Sequence, residues 1–227
     1  MLEIIYQDKY MVAINKPHGL LVHRSPIAAD AEEFALQKVR DQIGKTVYPV
    51  HRLDRKTAGI LVFALNSRIA AKLKTIFEDP GTQKIYIAIV RGYFPDSIEV
   101  DYALTNDRGK TQDAITHFKT IKRSELAIPF GKFSTSRYSL IEAYPKTGRM
   151  HQIRKHLNHL RHPIIGDRPH GCNKQNRLFN ERWNMNTMLL HAQQLNLLHP
   201  VSKEQLILKA KPFAEFERML HELCFSE

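Results

Sequence analysis

The longest apolar runs of this chain are no longer than a β-strand, and that limit constrains what it can fold into. Ile60-Leu61-Val62-Phe63-Ala64-Leu65 is typical of them. It falls far short of the ~20 apolar residues that a membrane-crossing helix needs, and it reads as a strand buried on both faces. A sizeable core is available, because 43% of the 227 residues are hydrophobic. No Gly/Ser-rich or Pro-rich linker, internal repeat or low-complexity tract divides the sequence, so one domain over residues 1–227 is expected.

A pass along the chain predicts mixed structure in which strands dominate. Leu2 to Tyr6 and Met11 to Asn15 flank Gln7-Asp8-Lys9-Tyr10 as a hairpin whose second strand stops at Pro17. Glu32 to Ile43 reads as a helix ending at Gly44. Gly59 to Leu65 is a strand, Ser67 to Glu78 a helix capped by Ser67 and closed by Pro80-Gly81, and Lys84 to Tyr93 another strand. Ala114 to Ile121 and Ser136 to Tyr144 add two more strands. From Arg149 to Leu160, the residues Met150, Ile153, Leu157 and Leu160 recur at helical spacing as one apolar stripe, with Arg154 one step off its edge. Phe213, Phe216, Leu220 and Leu223 share that spacing and predict a helix packed on the core.

Chemistry concentrates in His51-Arg52-Leu53-Asp54-Arg55-Lys56-Thr57-Ala58-Gly59, where one carboxylate sits among three cations and a histidine. Positive neighbours favour the ionised acid, so Asp54 is expected to be a carboxylate at neutral pH, available as nucleophile or base. An Asp beside Thr and Gly also serves as a turn former or helix cap. These residues alone leave both roles open.

The stretch HRLDRKTAG resembles the active-site signature of the RluA-type pseudouridine synthase family, which carries an HRLD-x-x-T-[SA]-G box. Three further segments resemble that family's motifs in the same order. They are Asn15-Lys16-Pro17-His18-Gly19-Leu20-Leu21-Val22-His23, then Lys84-Ile85-Tyr86, then Gly148-Arg149-Met150-His151-Gln152-Ile153-Arg154. Leu189-Leu190-His191-Ala192 is a weaker echo. The resemblance implies an α+β fold: a curved, mainly antiparallel mixed sheet flanked by helices, with a central RNA-binding cleft. It implies catalytic roles for Asp54, for Tyr86 as a stacking platform for the target uracil, and for Arg154 as the basic partner of the carboxylate. It implies RNA contacts by Arg52 beside a flipped-out nucleotide, with His51, Lys16, His23, Arg149 and Lys155 as further candidates. On this reading the N1 glycosidic bond of a uridine breaks, the base rotates, and C5 bonds to the ribose. Asp54 is compatible with attack on C1′, addition to C6, or removal of the 2′ proton. No cofactor and no metal are implied.

Composition agrees with a nucleic-acid partner: 34 Lys+Arg against 23 Asp+Glu give a formal charge of +11. Basic charge and aromatic strands fit a non-catalytic RNA-binding or chaperone protein equally well. The set of Asp54, Tyr86 and Arg154 favours the enzyme, since a carboxylate in a cationic groove opposes simple RNA binding. His151, His156, His159, His162, His170 and Cys172 raise a zinc hydrolase, but neither H-E-x-x-H nor paired C-x-x-C spacing occurs.

The segment from His156 to Asp167, continued through His170-Gly171 to Arg177, resembles the branch of the family that modifies transfer RNA at position 65, in the acceptor/T-stem region. Ribosomal RNA or another transfer RNA site is the alternative. Ala58 stands where much of the wider family has Ser. The family-like opening at Leu2 leaves no room for the N-terminal RNA-binding domain many relatives carry. Cys172 and Cys224 suggest no disulfide framework, so a cytoplasmic protein, with a monomer as the simplest state, is expected.

Overall fold

The structure, a computed structural model, describes residues 1–23 and 33–225. In chain order the elements begin β1 (Glu3–Gln7), β2 (Met11–Lys16), α1 (Ala35–Ile43), β3 (Tyr48–Pro49), β4 (Ala58–Ala64) and α2 (Ser67–Glu78). They continue with β5 (Gln83–Arg91), β6 (Ser97–Asp101), β7 (Leu104–Thr105), β8 (Thr111–Gln112), β9 (Ile115–Leu126) and β10 (Ser136–Pro145). The last are α3 (Gln152–His159), α4 (Asn173–Trp183), β11 (Leu190–Leu198), β12 (Gln205–Lys209) and α5 (Ala214–Glu222). Packing divides the chain into two compact units, Met1–Lys84 with His191–Phe213, and Ile85–Leu190 with Ala214–Glu227.

In the first unit the expected hairpin forms, with Glu3 opposite Asn15 and Ile4 opposite Ile14. Strand β2 then pairs antiparallel with β4, from Met11 opposite Ala64 to Lys16 opposite Gly59. All seven residues of β4 are buried, as an apolar run with no polar alternation requires. Helix α2 covers the sheet through Ile69, Ala70, Leu73 and Phe77, one face at helical spacing. Its cap is Asn66, not the expected Ser67: the Asn66 side chain accepts the Ile69 N–H at 2.9 Å. Helix α1 ends at Gly44 in the left-handed conformation, as expected, while the predicted first residue, Glu32, lies outside the described residues.

The second unit is built on the antiparallel order β5-β10-β9-β6. Strand β9 runs to Leu126, well past the expected end at Ile121, because Lys122, Arg123 and Glu125 keep pairing with β10 although they bury little. Phe94, Phe118, Ile141, Ile153, Leu157 and Ile164 lie in its core. The helix expected from Arg149 starts only at Gln152, because His151 adopts φ +56° and cannot continue a helix backwards. Helix α4 has no clear apolar stripe and buries only Gln175 and Phe179, so its pattern does not show in the sequence. The C-terminal helix packs through Phe216 and Met219, with Leu223 buried just beyond its end.

Gly59 is where the first unit is tightest. It has φ +107°, and its would-be Cβ falls on the backbone of Ala192, which pairs with it in the parallel β4–β11 ladder. Gly44 also has a positive φ, yet nothing lies within 4 Å of its would-be Cβ. Gly59→Ala should therefore destabilise the fold by roughly 3 kcal/mol or more, whereas Gly44→Ala should cost about 1 kcal/mol. Denaturant midpoints of the two variants check this, and equal shifts would contradict it.

Candidate active site

Asp54 lies in the loop between β3 and β4. Its carbonyl accepts the Thr57 N–H at 3.0 Å, closing a turn from Asp54 to Thr57; Leu53 before it and Thr57 are buried while Asp54 itself is half-buried. A second loop is pinned to this one. The Gly19 N–H donates to the Arg55 carbonyl at 2.9 Å, and Arg55 Nε returns a bond to the Gly19 carbonyl at 3.1 Å.

Lys16 ties both loops from inside. Its fully buried ammonium donates to the carbonyls of Pro17 at 2.9 Å, Leu20 at 2.8 Å and Arg55 at 3.2 Å. Burial pushes its pKa down to about 7, against the raising effect of the Asp54 charge. An ammonium so enclosed does not meet an RNA phosphate, so the expected phosphate contact gives way to loop positioning. His51 departs from expectation in the same way. Its Nε2 accepts the Val62 N–H at 3.0 Å, and the ring stacks on Phe77 with centroids 4.3 Å apart. Burial, aided by the Lys84 charge, holds its pKa down at about 3. His51 is thus a neutral packing residue fixing the Asp54 loop to β4 and α2. Arg52 and His23 are exposed, as an RNA contact requires.

Tyr86 is half-buried on β5 opposite Ala143 of β10, against the core of the second unit. Arg154 is buried on α3 and forms a two-pronged ion pair with Asp167, Nε to Oδ2 at 2.7 Å and Nη2 to Oδ1 at 2.9 Å. This geometry uses one edge of the guanidinium and fixes its plane. Asp167 was not singled out in the sequence, although a lone acid directly after Pro163-Ile164-Ile165-Gly166 is the signal that marks it.

Gln152, also missed, makes four bonds, two of which join α3 to β9. Its amide donates to the Ile115 carbonyl and to Thr116 Oγ1, both at 2.9 Å, and its oxygen accepts from Thr147 Oγ1 at 2.7 Å and the Arg149 N–H at 3.0 Å. His156 continues the network. Nε2 meets the Tyr102 carbonyl, which only accepts, so that nitrogen carries the proton and Nδ1 accepts from Thr116 Oγ1. His162 Nδ1 meets the Arg91 carbonyl, and His151 pairs with His170 at 2.9 Å. The histidine-rich segment is thus spread over separate structural bonds, and among the described residues no three His, Cys, Asp or Glu side chains group as metal ligands. Arg149 Nε donates to the Asp113 carbonyl and Lys155 Nζ to the Thr105 carbonyl.

The family model for RNA pseudouridylate synthases matches residues 10–159, a span that contains Lys16, Asp54, Tyr86 and Arg154. The chain belongs to that family. Among curated members, the tRNA pseudouridine synthase C of Vibrio cholerae is 44% identical over 238 residues, covering 100% of this chain and 98% of the relative. The protein of the same name from Haemophilus influenzae is 40% identical, covering 98% of each. Among solved structures, human RNA Pseudouridylate Synthase Domain Containing 4 is 26% identical with a TM-score of 0.73, covering 98% of this chain and 93% of that one. Human RNA Pseudouridylate Synthase Domain Containing 1, at 20% identity and the same TM-score of 0.73, shares the fold. The α+β architecture expected from the sequence is therefore that of the pseudouridine synthases. Asp167 and α4 lie beyond the matched span.

Two predictions follow from the site's electrostatics. Arg154→Met leaves the Asp167 carboxylate buried without its partner, and should cost about 3–5 kcal/mol in chemical denaturation. Adding Asp167→Leu should recover much of that loss; a double variant no more stable than the single one would count against the pair. The second concerns pH. Burial holds His51 near pKa 3 and His18 and His191 near 4, all below the ordinary value of 6.5. Between those limits the unfolded chain binds more protons than the fold, so stability rises with pH and is lost as pH falls from about 6.5 towards 4. His51→Phe should flatten the slope between pH 5 and 6.5 by up to about 1.4 kcal/mol per pH unit. Parallel urea-midpoint curves for wild type and variant would exclude a buried neutral ring.

Proposed function

We propose that this protein converts uridine to pseudouridine in transfer RNA, at position 65, as a cytoplasmic and monomeric enzyme whose two units act as one catalytic domain. The observation that carries the substrate is that relatives 40% and 44% identical over nearly the whole chain bear the name tRNA pseudouridine synthase C. The His156–Arg177 segment, read as that branch's own in the sequence, supports the same substrate.

Asp54 supplies the carboxylate at the ribose and base of an everted uridine. The C1′–N1 bond breaks, the uracil turns, and a C1′–C5 bond forms. C5 then loses its proton and N1 carries one, so no atom is added and no electron is transferred to a cofactor. Tyr86 stacks on the uracil. Arg154, with one edge of its guanidinium held by Asp167, supplies the basic group of the reaction. Arg52 occupies the space by the displaced nucleotide, and His23, Arg149 and Lys155 contact the RNA backbone. Lys16 and His51 act on the loop beneath Asp54 and touch no substrate.

Asp54→Asn should bind transfer RNA as tightly as wild type and form no pseudouridine. A variant that modifies RNA at the wild-type rate would refute the assignment. Carbodiimide mapping of total RNA from a strain lacking the gene, compared with its complemented strain, tests the substrate. Loss of one transfer RNA signal at position 65 is expected, and loss confined to ribosomal RNA would replace the substrate.

A further inference from the structure

The second unit contains a recess of about 240 Å³ that the reaction scheme leaves unused. Arg168, Arg177, Asn173, Asn176, Asn180 and Asn186 contribute to its lining, and no acidic side chain does. Pockets that hold whole small molecules run to roughly 300–1,000 Å³, so this one suits a smaller unit. Both arginines are exposed, and neither forms an ion pair among the described residues. Two unneutralised guanidiniums facing amides make an anion site with hydrogen-bonding walls.

We propose that this recess is an RNA backbone subsite: Arg168 and Arg177 clamp one phosphodiester, and the asparagines bond the adjoining ribose hydroxyl. The proposal rests on the reading that the substrate is RNA. The asparagines suit a 2′-hydroxyl, which both donates and accepts. Asn180 Nδ2 donates to Asn186 Oδ1 at 2.9 Å, which leaves the Asn180 oxygen as one acceptor and the Asn186 amino group as one donor.

The recess is also wired to Arg154. Asn176 accepts the Gly166 N–H at 2.9 Å through Oδ1 and donates to the Asp167 carbonyl at 2.7 Å through Nδ2. The Asp167 carboxylate in turn holds Arg154. A strand seated in the recess is therefore set in register with the buried arginine by one asparagine and one aspartate. Binding energy gained there positions RNA without entering the chemical step.

Phosphate-ethylation interference on an end-labelled transfer RNA, with full-length wild type and Arg168→Ala/Arg177→Ala, reads the contact directly. In wild type, ethylation at one or two neighbouring phosphates should block binding, and that signal should vanish in the double variant. Its Kd should rise about tenfold, and the slope of log K on log salt should become shallower by about one. An unchanged interference pattern and slope would overturn the subsite. Full recovery by Arg168→Lys/Arg177→Lys would overturn the clamp, since lysine restores charge without the fork. Stabilisation by inorganic phosphate alone, with no interference signal on RNA, would assign the recess to a free anion and overturn it as well. Product formation is scored separately. A wild type that shows the interference signal but forms no pseudouridine would refute the functional reading and support the subsite.

Discussion

The second unit is organised around one interaction, the ion pair of Arg154 with Asp167 inside the protein. Each charge taken out of water costs several kcal/mol, so such a pair contributes little to net stability. What it fixes is geometry: two parallel hydrogen bonds define the guanidinium plane. The surroundings hold each partner in place. Gln152 fastens the start of α3 to β9, and Asn176 fastens the Asp167 backbone to α4. Gly166, at φ +82°, lets that segment lie against the Thr187 backbone where any side chain would collide. Three stretches distant in sequence thereby become one support for a single arginine.

The Asp54 loop is supported by different means. Lys16 spends its ammonium on three carbonyls, and His51 offers a lone pair to Val62 and a ring face to Phe77. Both belong to motifs that looked, in sequence, like RNA contacts. The burial of Lys16 and the ring and hydrogen-bond contacts of His51 commit both to the fold, while Arg52, one residue away from His51, stays exposed. A motif can thus mix residues that touch a substrate with residues that hold those in place, and only the fold separates them.

That difference explains how much could be read beforehand. Strands β2, β4, β5 and β10 and helices α2 and α5 were legible because burial is continuous in their apolar runs or follows helical spacing. Helix α4 was not, since a helix that buries an amide and one phenylalanine leaves no stripe. The start of α3 was misplaced because of the left-handed turn at His151, beside which Gln152 makes hydrogen bonds to a strand more than thirty residues earlier. At the site, Asp54 was visible as a lone carboxylate among cations, and Arg154 as a charge at the edge of an apolar helical stripe. Asp167 was harder to find: the lone acid after Pro163-Ile164-Ile165-Gly166 marks it locally, but its importance comes from a partner thirteen positions away.

The net charge of +11 carries a related lesson. Counterion release depends only on cations that reach phosphates. Lys16 and Arg154 are enclosed, and Arg123 and Arg218 are committed to backbone carbonyls and to acids of their own. Composition therefore overstates the charge an RNA strand can neutralise. The exposed Arg52, Arg168 and Arg177 form no ion pair among the described residues, so each is able to give a phosphate its full fork without first breaking one. Salt dependence of binding is set by the cations that reach phosphates, and a pI near 9.7 alone does not give their number.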